Sequence, residues 1–171
     1  SVIDMLQPRL ASDYGGGVLN VLGSDMVHTG LQCLFGILTT TAKPVSSALV
    51  QCASPGMPAG LTYLELASHG SSTVSTASPA DTRMPFFVHV APEVTAISPI
   101  SGDPDGGTLV TVLGAHYVNS IELGCAFGTV SPVAAAWLEH SEMQCVSPAR
   151  VLGSPEVRVT NNGIQFEGAE E

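Results

Sequence analysis

Few residues in this chain of 171 have the type and spacing that chemistry requires. His28, His69, His89, His116 and His140 stand one at a time, none with a second His or a carboxylate at the spacing of an HExxH metal helix. His28 and His116 follow two similar glycine-rich stretches at nearly equivalent places, so a shared packing or surface role is the simpler account of them. Asp103 and Asp105 flank Pro104, and two carboxylates this close could offer hard oxygens to Ca²⁺; the turn preferences of Asp and Pro explain them equally well. No Gly-x-Ser-x-Gly elbow, phosphate loop or dinucleotide fingerprint is present. The expectation is a protein that is not an enzyme, with no catalytic residue, no bound metal and no cofactor.

The elements that carry these residues come in two copies. Gly106 to Gly114 reads GGTLVTVLG, a glycine turn running into an alternating strand, and Gly15 to Gly23 reads GGGVLNVLG, with Gly23 and Gly114 91 residues apart. Val94 to Ile97 with Pro99 matches Ile3 to Leu6 with Pro8 at the same offset. Cys125-Ala-Phe-Gly128 matches Cys33-Leu-Phe-Gly36 at 92, and Gln144-Cys145-Val-Ser-Pro148 matches Gln51-Cys52-Ala-Ser-Pro55 at 93. An offset that grows by single residues is what loop insertions between aligned strands produce. Further strands are predicted at Leu61 to Leu66, Phe86 to Val90 and Glu156 to Thr160, with Asn161, Asn162 and Gly163 as an Asn-Gly hairpin turn. The chain therefore divides into modules at 1–90 and 91–171, joined only by Ala91 and Pro92, which predicts a stiff joint.

Composition supports two packed cores of all-β structure. The chain is 44% hydrophobic and 12% charged, rich in Gly, Pro and β-branched residues, and has no sustained helical period. Five basic residues against fifteen acidic ones give a net charge of −10, a field that repels a polyanion, so no nucleic acid partner is expected. No run approaches the roughly 20 apolar residues of a membrane-spanning helix, so this segment is not expected to insert. The chain opens at Ser1 with no initiator Met or secretion signal, as a mature product or a fragment would.

A strand ending in Ser-Pro (Ser98-Pro99), a Gly-Gly-Thr strand, a Cys-x-Phe-Gly strand, a Cys-x-Ser-Pro strand and an Asn-Gly hairpin follow in that order, and the succession resembles the IPT/TIG family of immunoglobulin-like domains. The likeness covers both copies. The first departs from it at Gln7 in place of Ser98 and in lacking the Asn-Gly turn. It implies two tandem immunoglobulin-like β-sandwiches.

The four cysteines fall two to a module, 19 residues apart in the first and 20 in the second. A zinc site would want pairs such as Cys-x-x-Cys, and none exists. Because each Cys holds the same place in a repeated strand pattern, the economical pairing is Cys33 with Cys52 and Cys125 with Cys145; four buried free thiols are the alternative. Bridges of this kind persist in oxidising compartments, which predicts an extracellular or cell-surface location. Thr39, Thr40 and Thr41, and Ser71, Ser72, Thr73, Ser75 and Thr76, lie in Ser/Thr-rich stretches near Pro that resemble O-glycosylated segments; an undecorated polar loop is the alternative. The chain has no Asn-x-Ser/Thr sequon, so attached glycans would be linked through oxygen, or to Pro if hydroxylated.

The copies differ at their ends. After Gly70 the first continues to the strand Phe86 to Val90, whereas after Gly163 the second has eight residues, and it is expected to lack its closing strand. An open edge of a sandwich invites strand addition, here with Ile164, Phe166, Val2 and Ile3 as subunit contacts. Head-to-tail contacts that do not close give a filament. The leading expectation is a structural protein that self-associates into an extracellular polymer. The alternatives are the ligand-binding or adhesive stalk of a cell-surface receptor, as the resemblance to plexins implies, and an accessory module of a secreted carbohydrate-active enzyme. Exposed aromatics would favour the last, but the single Trp, Trp137, is expected in the core.

Overall fold

The computed structural model of the protein describes residues 2–26, 30–68, 83–149, 153 and 155–168, and all of its regular elements are strands. They fall into two compact units, Ser1–His89 and Val90–Glu171.

The first unit holds β1 (Val2–Gln7), β2 (Leu10–Ser12), β3 (Val18–Ser24), β4 (Leu31–Phe35), β5 (Leu38–Ser46), β6 (Leu49–Ala53), β7 (Gly60–Ser68) and β8 (Arg83–His89), in spatial order β1-β3-β6-β5-β4-β7-β8-β2. The second holds β9 (Glu93–Ser98), β10 (Leu109–Ala115), β11 (Gly124–Phe127), β12 (Val133–Glu139), β13 (Glu142–Val146), β14 (Val157–Thr160) and β15 (Glu167–Gly168), in order β9-β10-β13-β12-β11-β14-β15. The two orders coincide strand for strand once β2 is set aside. All pairings are antiparallel except β2 with β8.

Each unit is a sandwich because one strand changes layers. Leu38 to Thr41 of β5 pair with β4, and Ala42 to Ser46 pair with β6. In the second unit Val133 and Ala134 pair with β11, and Ala135 to Glu139 with β13. Inward residues alternate along the strands, so Leu19, Val21, Val50, Cys33 and Leu64 meet in one core and Val110, Val112, Met143, Cys125 and Val159 in the other. The disulfide Cys33–Cys52 links β4 to β6 with Cα atoms 6.0 Å apart, and Cys125–Cys145 links β11 to β13 at 6.3 Å, so each bridge ties one layer to the other.

The glycines of the repeated motif have a steric reason. Gly106 has φ +82°, and a Cβ there would lie 2.6 Å from the Ala149 nitrogen and 2.8 Å from the Pro148 carbonyl carbon. The turn before β10 is thus pressed onto the Ser147-Pro148 turn after β13, and the Gly107 N–H donates to the Ser147 carbonyl at 2.9 Å. At Gly114 a Cβ would collide with the Glu93 carbonyl and the Tyr117 hydroxyl.

Three elements differ from expectation. The stretch from Thr39, read as an O-glycosylated segment or an undecorated polar loop, is most of β5; Thr and Val suit a strand, and its many exposed side chains hid it. Trp137, expected in the core, is 38% exposed, and its Nε1–H donates to the Tyr117 carbonyl at 3.1 Å, because an indole needs a partner for that proton. The Asn-Gly segment closes a longer connection than a two-residue hairpin, running from Thr160 to Glu167.

Candidate functional site

Among the described residues, none of the sequence-selected polar residues converges on a reaction centre. His116 and His140 are exposed and serve through their backbone carbonyls, accepting from Asn161 Nδ2 and the Tyr117 N–H respectively, while His89 is buried in the first unit. His28 and His69 lie outside the described residues. Asp103 and Asp105 form a turn: the Asp105 N–H donates to Asp103 Oδ1 at 2.9 Å, and the Asp103 N–H donates to Thr108 Oγ1 at 3.1 Å. Among the described residues no group of three or more His, Cys, Asp or Glu could hold a metal ion. No helix of the described residues is long and apolar enough to cross a membrane.

Thr39 and Thr41 are exposed on β5, whereas Thr40 donates its hydroxyl to the Ala53 carbonyl at 2.9 Å. Ser71, Ser72, Thr73, Ser75 and Thr76 lie outside the described residues. Of the expected contact edge, Ile164 is 43% exposed and Phe166 is half-buried just before β15. Val2 opens β1, paired with Ser24, but Ile3 is 7% exposed and belongs to the first core, so it offers no side chain to a neighbour.

Two features bind the loops of the second unit, and neither was legible in the sequence. Asn161 is buried; its Oδ1 accepts from the Val118 N–H at 3.0 Å and its Nδ2 donates to the His116 carbonyl at 2.8 Å. Tyr117, 3% exposed, donates its hydroxyl to the Glu93 carbonyl at 3.0 Å, and burial pushes its phenol up to about 12.

The units diverge at the closing strand. In the first, β8 pairs with β7 from Gly60↔Val88 to Glu65↔Arg83 and with β2 from Leu10↔Phe87 to Ser12↔His89. Phe86 and Val88 are buried, and the Phe86 ring meets Phe35 edge-on at 5.7 Å. Contrary to the expectation of a missing closing strand, the second unit is not bare at this place: Glu167 and Gly168 of β15 pair with Val159 and Arg158. Gly168 stands where Arg83 does, because Phe35 faces Leu64 as Phe127 faces Val157. By the same correspondence Gly60, Thr62 and Leu64 become Gly153, Pro155 and Val157. All three line an open cavity of about 460 Å³, with Ile100, Val110 and Phe127. In the first unit Thr62 and Gly60 pair with Phe86 and Val88. The polar side chains of the cavity already serve the turns, Thr108 Oγ1 accepting from Asp103 and Ser147 Oγ from the Thr108 N–H. Such walls can hold the side chains of an extended strand, and they contain no nucleophile paired with a base.

Each unit is thus an immunoglobulin-like sandwich. Residues 92–170 match the IPT/TIG domain family, so the second unit is an IPT/TIG domain, and the first repeats its strand order. Among solved structures, the full extracellular region of plexin A4 is similar at 16% identity and a TM-score of 0.58, over 95% of this chain and 15% of that one. A surface glycan-binding protein from Prevotella bryantii aligns at 15% identity and a TM-score of 0.39, over 98% of this chain and 40% of that one. The plexin likeness is one of fold, and the second is too slight to bear on fold or function. The chain therefore spans a minor part of either protein. No curated protein matches the sequence. The two disulfides point to an oxidising compartment.

Proposed function

We propose that the chain is a non-enzymatic extracellular structural protein, a protomer or repeat unit that joins its neighbours head to tail in a fibre or surface filament. The observation that carries this reading is the largely apolar groove of the second unit, lined by Ile97, Ile100, Val110, Phe127 and Val157. A groove used by one subunit and filled by another is a heterologous contact, and such contacts propagate unless the rotation closes a ring. Electron microscopy of the native material tests it: the chain is expected within a regular polymer, and a chain found only as isolated particles would sink the reading.

The plexin-like fold favours a second reading, the ligand-binding or adhesive stalk of a cell-surface receptor. A membrane-spanning segment encoded in the same gene would decide for it. In either setting O-linked glycans on the exposed Thr39 and Thr41 would project from β5 into solvent. Intact-mass measurement of the native chain is expected to exceed the polypeptide mass, and agreement with the bare chain would exclude the glycans.

A further inference from the structure

We propose that the Asn162-Gly163 peptide is a covalent modification site that the fold holds silent: when the second unit opens, Asn162 loses its side-chain nitrogen and becomes aspartate or isoaspartate. An Asn-Gly pair is prone to this chemistry because glycine has no Cβ to obstruct attack by its own nitrogen. The Gly163 nitrogen gives its proton to a base from water and attacks the Asn162 side-chain carbonyl carbon. The new N–C bond forms as the C–Nδ2 bond breaks, and ammonia leaves with a proton returned from water. Water then opens the cyclic imide at either carbonyl, giving aspartate or a main chain longer by a methylene.

The turn withholds the nucleophile and leaves the carbonyl primed. Thr160, 1% exposed at the end of β14, wraps its hydroxyl into the turn. Its oxygen accepts the Gly163 N–H at 2.8 Å and the Asn162 N–H at 3.2 Å, and its own proton goes to Asn162 Oδ1 at 3.2 Å. The proton that a base must remove is therefore held by a buried hydroxyl. Asn162 Oδ1, by contrast, also accepts from the Ile164 N–H at 3.1 Å and the Gln165 N–H at 3.0 Å, donors of the kind that stabilise an oxyanion. Nδ2 donates to Gln165 Oε1 at 3.1 Å, and Asn162 is 1% exposed, so the water that would hydrolyse the imide is kept out as well. Both protections lapse together when β14 parts from β11, where Thr160 faces Gly124. An isoaspartyl link would then carry Gly163, Ile164 and Gln165 away from the groups that hold them, and Glu167 out of its register with Val159. A unit that has opened would stay marked.

The test incubates the whole 171-residue chain in neutral buffer, folded or unfolded in guanidinium chloride, and follows ammonia release and the mass and isoaspartate content of the proteolytic fragment holding Asn162. Conversion is expected to be at least about a hundredfold slower in the folded chain. Thr160→Val, which keeps the shape and removes the hydroxyl, is expected to raise the folded rate about tenfold and to release the Gly163 amide to solvent exchange. Thr160→Ser, which keeps the hydroxyl, is expected to do neither. Amide protection along β10 and β13 checks that each variant is folded. The proposal is overturned by equal rates in the folded and unfolded chains, or by a folded Thr160→Val chain that converts no faster than Thr160→Ser. A Gly163 amide of the unaltered folded chain that exchanges as fast as in the unfolded chain overturns it too, whether or not the variants fold. None of these outcomes depends on whether the chain forms a fibre.

Discussion

Tyr117 and Asn161 show how single polar side chains hold the loops of the second unit. The Tyr117 phenol ionises near 10 when unfolded and near 12 when folded, so folding favours its neutral form. The sign follows: this contribution is complete below pH 10 and is lost as pH rises from 10 toward 12, by at most about 3 kcal/mol. Denaturant titrations of Tyr117→Phe are expected to show a lower stability at pH 7 by about 1 kcal/mol, from the lost bond to Glu93, and a much flatter decline above pH 10. An unchanged alkaline slope would mean that another group controls it. Asn161→Ala leaves the Val118 N–H and the His116 carbonyl without their partner, and is expected to cost about 3 kcal/mol in urea unfolding. Asn161 was legible in sequence as a turn residue only. Its two partners lie 43 and 45 residues away, and no local pattern records contacts of that range.

At the scale of elements, the glycine motif was the most legible part of the chain and the layer-changing strands the least. Gly106 and Gly114 are required by close backbone approach, and the same approach recurs at Gly15, so the repeat exposes it twice. Gly114→Ala would drive a methyl group into the Glu93 carbonyl and the Tyr117 hydroxyl, separating β9 from β10. The expected loss is more than about 3 kcal/mol, read from the unfolding midpoint, with amide protection falling first at Val94 to Ile97. Retained protection there would show that the edge strand yields without cost. By contrast, β5 and β12 show mostly exposed side chains, and their alternation weakens because each strand serves two layers in turn. Periodicity reports a constant buried face, and these strands do not have one. The closing strand of the second unit was expected to be missing, whereas two residues of it are paired; a segment so short gives no periodic signal.

Over the whole molecule, two units with separate cores and one inter-layer disulfide each are the outcome of the duplicated sequence. Replacing Cys125 and Cys145 together by Ala opens a loop closed over 20 residues and is expected to lower the stability of the second unit by about 3 kcal/mol, while the first core keeps its hydrogen-exchange protection. Equal loss of protection in both units would contradict the separation of the cores. The duplication, the all-β class and the family resemblance were determined by sequence alone, because strand periodicity, turn glycines and cysteine positions are local features that repeat along the chain. What fills the space beside Phe127 was decided only by tertiary structure. Phe35 and Phe127 occupy matching motifs, yet one meets the ring of Phe86 and the other lines an open cavity. The difference depends on which strands stack over each phenylalanine, and that stacking joins residues from opposite ends of a module.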